Sequence, residues 1–121
     1  MKHFFVIGNN TSKSISPLIF NYWFKKYNIQ AKYFFAEVTK KNFDKTLTKK
    51  IQDKHTHGLN VTIPFKKNIL KHLDSKNIHA KKIGAVNCVT VGKKIKGINT
   101  DWKGYLNSIK EEKITKNKNI L

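Results

Sequence analysis

Arginine is absent from this 121-residue chain, cysteine occurs once, proline twice, and the acidic residues number 7 against 25 basic ones. Each scarcity excludes something. With Cys88 alone, the chain can form neither an intrachain disulfide nor a cysteine-based zinc site. Its apolar neighbours predict a buried core thiol. The N-terminal apolar run, Phe4 to Ile7, ends at Gly8. It is too short for a signal-peptide core or a membrane span, so a soluble, cytoplasmic protein is the expectation. The six glycines include no Gly-x-Gly-x-x-Gly, so the fingerprint of a dinucleotide-binding turn is missing. The formal charge of +18 is carried by lysine alone. Base-edge recognition leans on the forked guanidinium, and single-strand binding on aromatic platforms interleaved with basic residues. Neither pattern is present, and the lysines are spread along the chain. The abundance of lysine, asparagine and isoleucine fits an AT-rich coding bias, while the charge still steers anionic ligands toward the protein. A basic module for nucleic acid or small anions is the alternative of a different class, and it would bind with a steep salt dependence.

What is present points to a folded domain. The chain is 39% hydrophobic and 12% aromatic, enough for a core and too much for a disordered segment. Residues 3–7 read as a strand and Asn9 to Ser12 as a loop; Ser16-Pro17 then supplies an N-cap hydroxyl and a first-turn proline for a helix to Asn28. Lys32 to Glu37 is an aromatic-rich strand and Asn42 to Lys54 an amphipathic helix. Gly58 to Ile63 is a third strand, with a helix opened by Pro64 and a shorter one over 77–83. Ala85 to Val91 and Ile95 to Ile98 form a hairpin around Gly92-Lys93-Lys94, and Thr100 caps a helix through Glu112. Strands alternating with helices predict an α/β domain, a three-layer, mostly parallel mixed sheet flanked by helices. Residues 1–117 make up this domain, and 118–121 read as a linker or the start of a further strand.

Four segments hold the unusual polar residues, each where a strand hands over to a loop or helix. In Ser14-Ile15-Ser16-Pro17, hydroxyls at a helix mouth suit a carboxylate or phosphate. Ser16 alone reads as a plain N-cap, whereas Ser14 has no structural reason of that kind. In Asn60-Val61-Thr62-Ile63-Pro64-Phe65-Lys66, alternation aims Asn60 and Thr62 at one face with Val61 and Ile63 packed behind. Lys66 then falls in the first turn of a helix, against the dipole. Asn87, in Gly84-Ala85-Val86-Asn87, interrupts an apolar strand, which is costly without partners. Asp101, in Asn99-Thr100-Asp101, sits near a helix start, where an acidic residue is stabilising on structural grounds alone.

As an ordered set, these four segments closely resemble the substrate domain of shikimate dehydrogenases over nearly the whole chain. The resemblance implies an oxidoreductase that reduces 3-dehydroshikimate to shikimate with NADPH, on the way to chorismate and the aromatic amino acids. It implies that Ser14 and Ser16 hold the substrate carboxylate, that Asn60, Thr62, Asn87 and Asp101 contact ring hydroxyls or the reacting oxygen, and that Lys66 is the acid-base residue paired with Asp101. Neither a metal nor a nucleic-acid or membrane partner is implied. NADP is expected on a second, Rossmann domain, leaving this fragment inactive alone. A relative acting on quinate is the nearest enzymatic alternative, and a homodimer is compatible with the sequence without being required by it. Two positions depart from the family pattern: Phe20-Asn21 stands where His-Asn is usual, and Trp102 where glycine commonly follows Asn-Thr-Asp. Both read as packing changes, with Trp102 placed to narrow the site.

Overall fold

The computed structural model describes the backbone of residues 1–120 and the side chains of residues 1–110. In chain order, the elements are β1 (Lys2–Gly8), α1 (Ser16–Lys26), β2 (Ala31–Glu37), α2 (Phe43–Gln52), β3 (Thr56–Val61), β4 (Ser75–Lys76), α3 (Ile78–Ile83), β5 (Cys88–Val91), β6 (Ile95–Ile98) and α4 (Asp101–Ile120). The strands form one sheet in the order β2-β1-β3-β5-β6-β4. β1 pairs in parallel with β2 and β3, and β4 pairs in parallel with β6. β5 runs antiparallel to β3 and to β6, the latter because a short turn at Gly92 permits a hairpin and no crossover. The result is the expected mixed α/β sheet.

Alternation along β1 separates its two faces. Phe5 and Ile7 enter the main core with Phe43 and Leu47 of α2, Leu59 and Val61 of β3, and Phe65 and Ile69 beyond it. Phe4 turns the other way and meets Phe24 of α1, while Phe20 of α1 stacks on Tyr33 of β2. One helix therefore covers the α1 face and the rest of the chain builds the larger core opposite. Cys88 is only half-buried. Its register partner Asn60 shows why: it belongs to the α1 face, while the adjacent Val89 enters the main core. The buried core thiol suggested by its neighbours is thus corrected by strand register.

Beyond shifts of one or two residues at several element ends, three departures from the sequence reading are larger. No α-helix follows Pro64; only a 3-10 segment, Asn68–His72, forms there. The Lys66 carbonyl accepts from the Val86 N–H at 2.9 Å, and the Leu70 N–H bonds the Lys67 carbonyl at 3.2 Å in a 3-10 pairing instead. β5 begins at Cys88, three residues late. Helix α4 continues to Ile120 in place of the strand start that 118–121 suggests. No glycine or proline stands between Tyr105 and Ile120 to end it. Leu121 lies outside the described residues.

Asp44, in the first turn of α2, ties that helix to the 3-10 segment: Lys71 Nζ donates to Oδ2 at 2.9 Å, and His72 Nε2 lies 2.8 Å from Oδ1. The Lys71 hydrogen bond first, and His72 second, hold the carboxyl below its ordinary value. A lowered folded-state pKa contributes stability that is present above the unfolded value, about 3.9 for aspartate, and lost as pH falls through the folded value. Urea midpoints measured from pH 6 downward should therefore fall more steeply below about pH 4 for the parent chain than for Asp44→Asn. Parallel curves would remove Asp44 from the acid response.

Candidate functional site

At the carboxyl ends of β1 and β3, the loops open onto a cleft of about 460 Å³ lined by Ser14, Ser16, Asn60, Thr62, Lys66, Asn87 and Asp101. All the residues singled out from the sequence thus share one cavity. Asn10, Thr11 and Lys13 from the loop after β1 join them. Gly8 ends β1 at a close approach: a methyl group there would overlap the Thr62 side chain.

The Ser14 hydroxyl accepts from the Ser16 N–H at 3.2 Å, whereas Ser16 is the first residue of α1 and makes no capping bond. This reverses the expected assignment. Ile15 already has helical dihedrals, φ −86° and ψ −7°, so the helix begins before Ser16 can act as its cap. Ser14 therefore has a structural role, and the Ser16 hydroxyl faces the cleft free of one. The Thr11 hydroxyl oxygen, in a residue only 1% exposed, has no hydrogen-bond partner among the described residues.

Asn60 and Thr62 line the cleft; Val61 between them also borders it but is 2% exposed, in the main core. Ile63 does not join it and stands 69% exposed. The strand has ended at Val61, and the Phe65 N–H closes a turn onto the Thr62 carbonyl, with a cis peptide between Ile63 and Pro64. Lys66 leaves this turn rather than an α-helix, so the dipole argument for it fails. Its place is set instead by its carbonyl bond to Val86 and by Phe65, fully buried and stacked on Phe43 with centroids 4.3 Å apart.

Asn87 finds its partners in the fourth segment. Its Nδ2 donates to Thr100 Oγ1 at 2.7 Å and to Asp101 Oδ1 at 3.0 Å, and its Oδ1 accepts from the Thr100 N–H at 2.7 Å. Side-chain and backbone groups of the fourth segment, rather than backbone alone, satisfy the amide. The other Asp101 oxygen, Oδ2, accepts from Lys66 Nζ at 2.6 Å. These two side chains are 33% and 52% exposed, and so open a pair adds little to stability. What the pair does is hold an ammonium at the cleft wall beside a carboxylate fixed on its far side by Asn87.

Asn99 was not singled out as a site residue, yet it builds the corner. Its Oδ1 accepts from the Asp101 and Trp102 N–H groups, and its Nδ2 donates to the Ala85 carbonyl at 3.1 Å. It caps α4 in place of Thr100. The signal available in the sequence was an asparagine two residues before an acidic helix start. Trp102 is not on the cleft wall; it packs against His79 of α3, ring centroids 4.2 Å apart and tilted by 32°. Phe20 also packs away from the cleft, on Tyr33. Both departures from the family pattern are packing changes.

Among the described residues, no group of three His, Cys, Asp or Glu side chains is placed to hold a metal ion, and no helix is long and apolar enough to cross a membrane. A family model described as the shikimate dehydrogenase substrate binding domain matches residues 6–89, well over half the chain. The chain belongs to this family. It is 44% identical over 110 residues to a shikimate dehydrogenase (NADP(+)) of Staphylococcus epidermidis, covering 89% of this chain and 40% of that relative. The shikimate dehydrogenase of Aquifex aeolicus superimposes with a TM-score of 0.84 at 36% identity, over 92% of this chain and 42% of that one. A Thermus thermophilus shikimate 5-dehydrogenase, solved in complex with NADP(H) and shikimate, does so with a TM-score of 0.81 at 28% identity, over 93% of this chain and 42% of that one. The likeness covers most of this chain, while the chain spans less than half the length of these dehydrogenases.

Proposed function

We propose that this chain is the substrate-binding half of an NADP-dependent shikimate dehydrogenase, a cytoplasmic enzyme reducing 3-dehydroshikimate to shikimate on the route to chorismate and the aromatic amino acids. The observation that carries the reading is the convergence of Ser14, Ser16, Asn60, Thr62, Lys66, Asn87 and Asp101 on one cleft. In this reading the substrate carboxylate rests at the mouth of α1 on the Ser14 and Ser16 hydroxyls, where the helix dipole favours negative charge. Asn60, Thr62, Asn87 and Asp101 hydrogen-bond the ring oxygens. Negative charge develops on the carbonyl oxygen as the ketone becomes an alcohol; Lys66 stabilises it and hands over a proton, while Asp101 keeps the ammonium in place.

The described residues do not fit a dinucleotide. The turn after β1 carries Gly8 followed by Asn9 and Asn10, not a glycine-rich loop against a helix. The NADP in the relatives' names therefore belongs, in this reading, to the part of them that this chain does not span, and the chain alone binds substrate without turning it over. A homodimer is compatible with this reading without being required by it.

Calorimetric titration with shikimate tests the carboxylate contact. Ser16→Ala should weaken binding by roughly tenfold, the worth of a hydrogen bond to a charged group. It should leave the affinity for a ring alcohol lacking the carboxylate unchanged. Equal losses for both ligands would remove the contact.

A further inference from the structure

We infer that Tyr33 is a positioning residue for Asn60, fixing its side-chain amide so that Asn60 offers the cleft a hydrogen-bond donor. The inference rests on the reading of the cleft as a shikimate site and adds a residue that lines no part of it.

Tyr33 lies on β2 and Asn60 on β3, with β1 between them. Register pairs Phe4 with Tyr33 and Val6 with Asn60, so both side chains rise on the α1 face. There the Tyr33 hydroxyl reaches across β1 and donates to Asn60 Oδ1 at 2.8 Å. The reverse orientation of the amide is disfavoured by a second contact, since Asn60 Nδ2 faces the Asn87 carbonyl oxygen at 3.4 Å. Turning the amide over would set two oxygens against each other there. With Oδ1 engaged by the phenol and one Nδ2 hydrogen on Asn87, the other hydrogen remains for a ligand oxygen.

Tyr33 is itself held from three sides. It is 4% exposed, its ring stacks on Phe20 at 4.7 Å and 9°, and the Asn21 side chain accepts from its N–H and donates to its carbonyl, both at 2.8 Å. The adjacent residues Phe20 and Asn21 thus clamp ring and backbone together. Burial first, and Cys88 second, hold the phenol above its ordinary titration range, so it is a donor at neutral pH. A phenylalanine would fill the same space. The hydroxyl, costly to bury unpaired, has its side-chain partner in the cleft.

The test compares Tyr33→Phe, Asn60→Ala and the double variant of the 121-residue chain by titration with shikimate, with urea midpoints read alongside. Tyr33→Phe should weaken binding roughly three- to tenfold, as loss of one hydrogen bond does. Asn60→Ala should weaken it further, and the double variant should bind like Asn60→Ala, because the phenol acts only through that amide. Losses that multiply in the double variant, or Tyr33→Phe binding like the parent while Asn60→Ala does not, would overturn the inference and leave the shikimate reading standing. An Asn60→Ala variant that binds like the parent would remove the reading and the inference with it. Should Tyr33→Phe fail to fold, Asn60→Asp decides: its carboxylate still accepts from Tyr33 but has no N–H to give, so binding should fall at least as far as in Asn60→Ala. Parent-like binding by Asn60→Asp would overturn the donor assignment.

Discussion

Lys66→Ala, made in an enzyme that joins this chain to the rest of a shikimate dehydrogenase, should lower kcat by roughly two orders of magnitude or more, the usual contribution of a positioned acid-base group. KM should change much less. The reason lies in when the ammonium matters. Before reaction it is already paired with Asp101 at 2.6 Å, so its attraction to a neutral ketone adds little to binding. On the proposed reading, that ammonium offsets the charge that grows on the carbonyl oxygen, and an interaction stronger in the transition state than in the ground state appears in kcat. Lys66→Arg should not restore the rate, because a guanidinium remains protonated throughout the working range and cannot give its proton. Steady-state kinetics in both directions checks this. A variant with parental kcat and raised KM would make Lys66 a binding residue only.

Phe65→Ala should have the largest effect on stability, roughly 3–5 kcal/mol, as expected for truncating a buried aromatic ring. Phe65 has no exposed surface and stacks against Phe43 at 4.3 Å with planes 8° apart. Its removal would strip contacts from α2, from β3 and from the turn that carries Lys66 at once. Against a total stability of about 5–15 kcal/mol for a domain of this kind, such a loss leaves a large unfolded fraction at moderate urea. Phe65→Leu, which keeps much of the volume, should cost markedly less. Urea denaturation followed by tryptophan fluorescence measures both. A loss below about 1 kcal/mol for Phe65→Ala, far under the range for buried rings, would show that the core closes over the gap.

Much of this protein can be read from its residues, for identifiable reasons. The alternation of apolar runs with helical periods gives the α/β order because each element buries one face, and that constraint is written locally. The cleft residues are legible as a set because Ser14, Asn60, Lys66, Asn87 and Asp101 fall in four short segments where strands hand over to loops or helices. The missed features are those that depend on which strands become neighbours. The bond from Tyr33 to Asn60 exists because β1 lies between β2 and β3, a fact about sheet order. The half-buried state of Cys88 follows from register, since a shift of one residue would have sent it into the main core. Lys66 sits on a turn rather than a helix, with its carbonyl bonded to the N–H of Val86, distant in sequence. Ser14 and Ser16 exchange capping roles because of the backbone angles at Ile15, which sequence constrains only weakly.

The central claim is that the polar residues of four separate segments form one shikimate site. Resonance-assigned NMR spectra of the 121-residue chain, recorded while shikimate is added, test it most directly. The account predicts saturable shifts at Ser14, Ser16, Asn60, Thr62, Lys66, Asn87 and Asp101, with the far side of the sheet around Leu47 and Ile69 unmoved. Shifts confined to the exposed lysines of α2 and the β5–β6 turn, or none at any shikimate concentration, would contradict it.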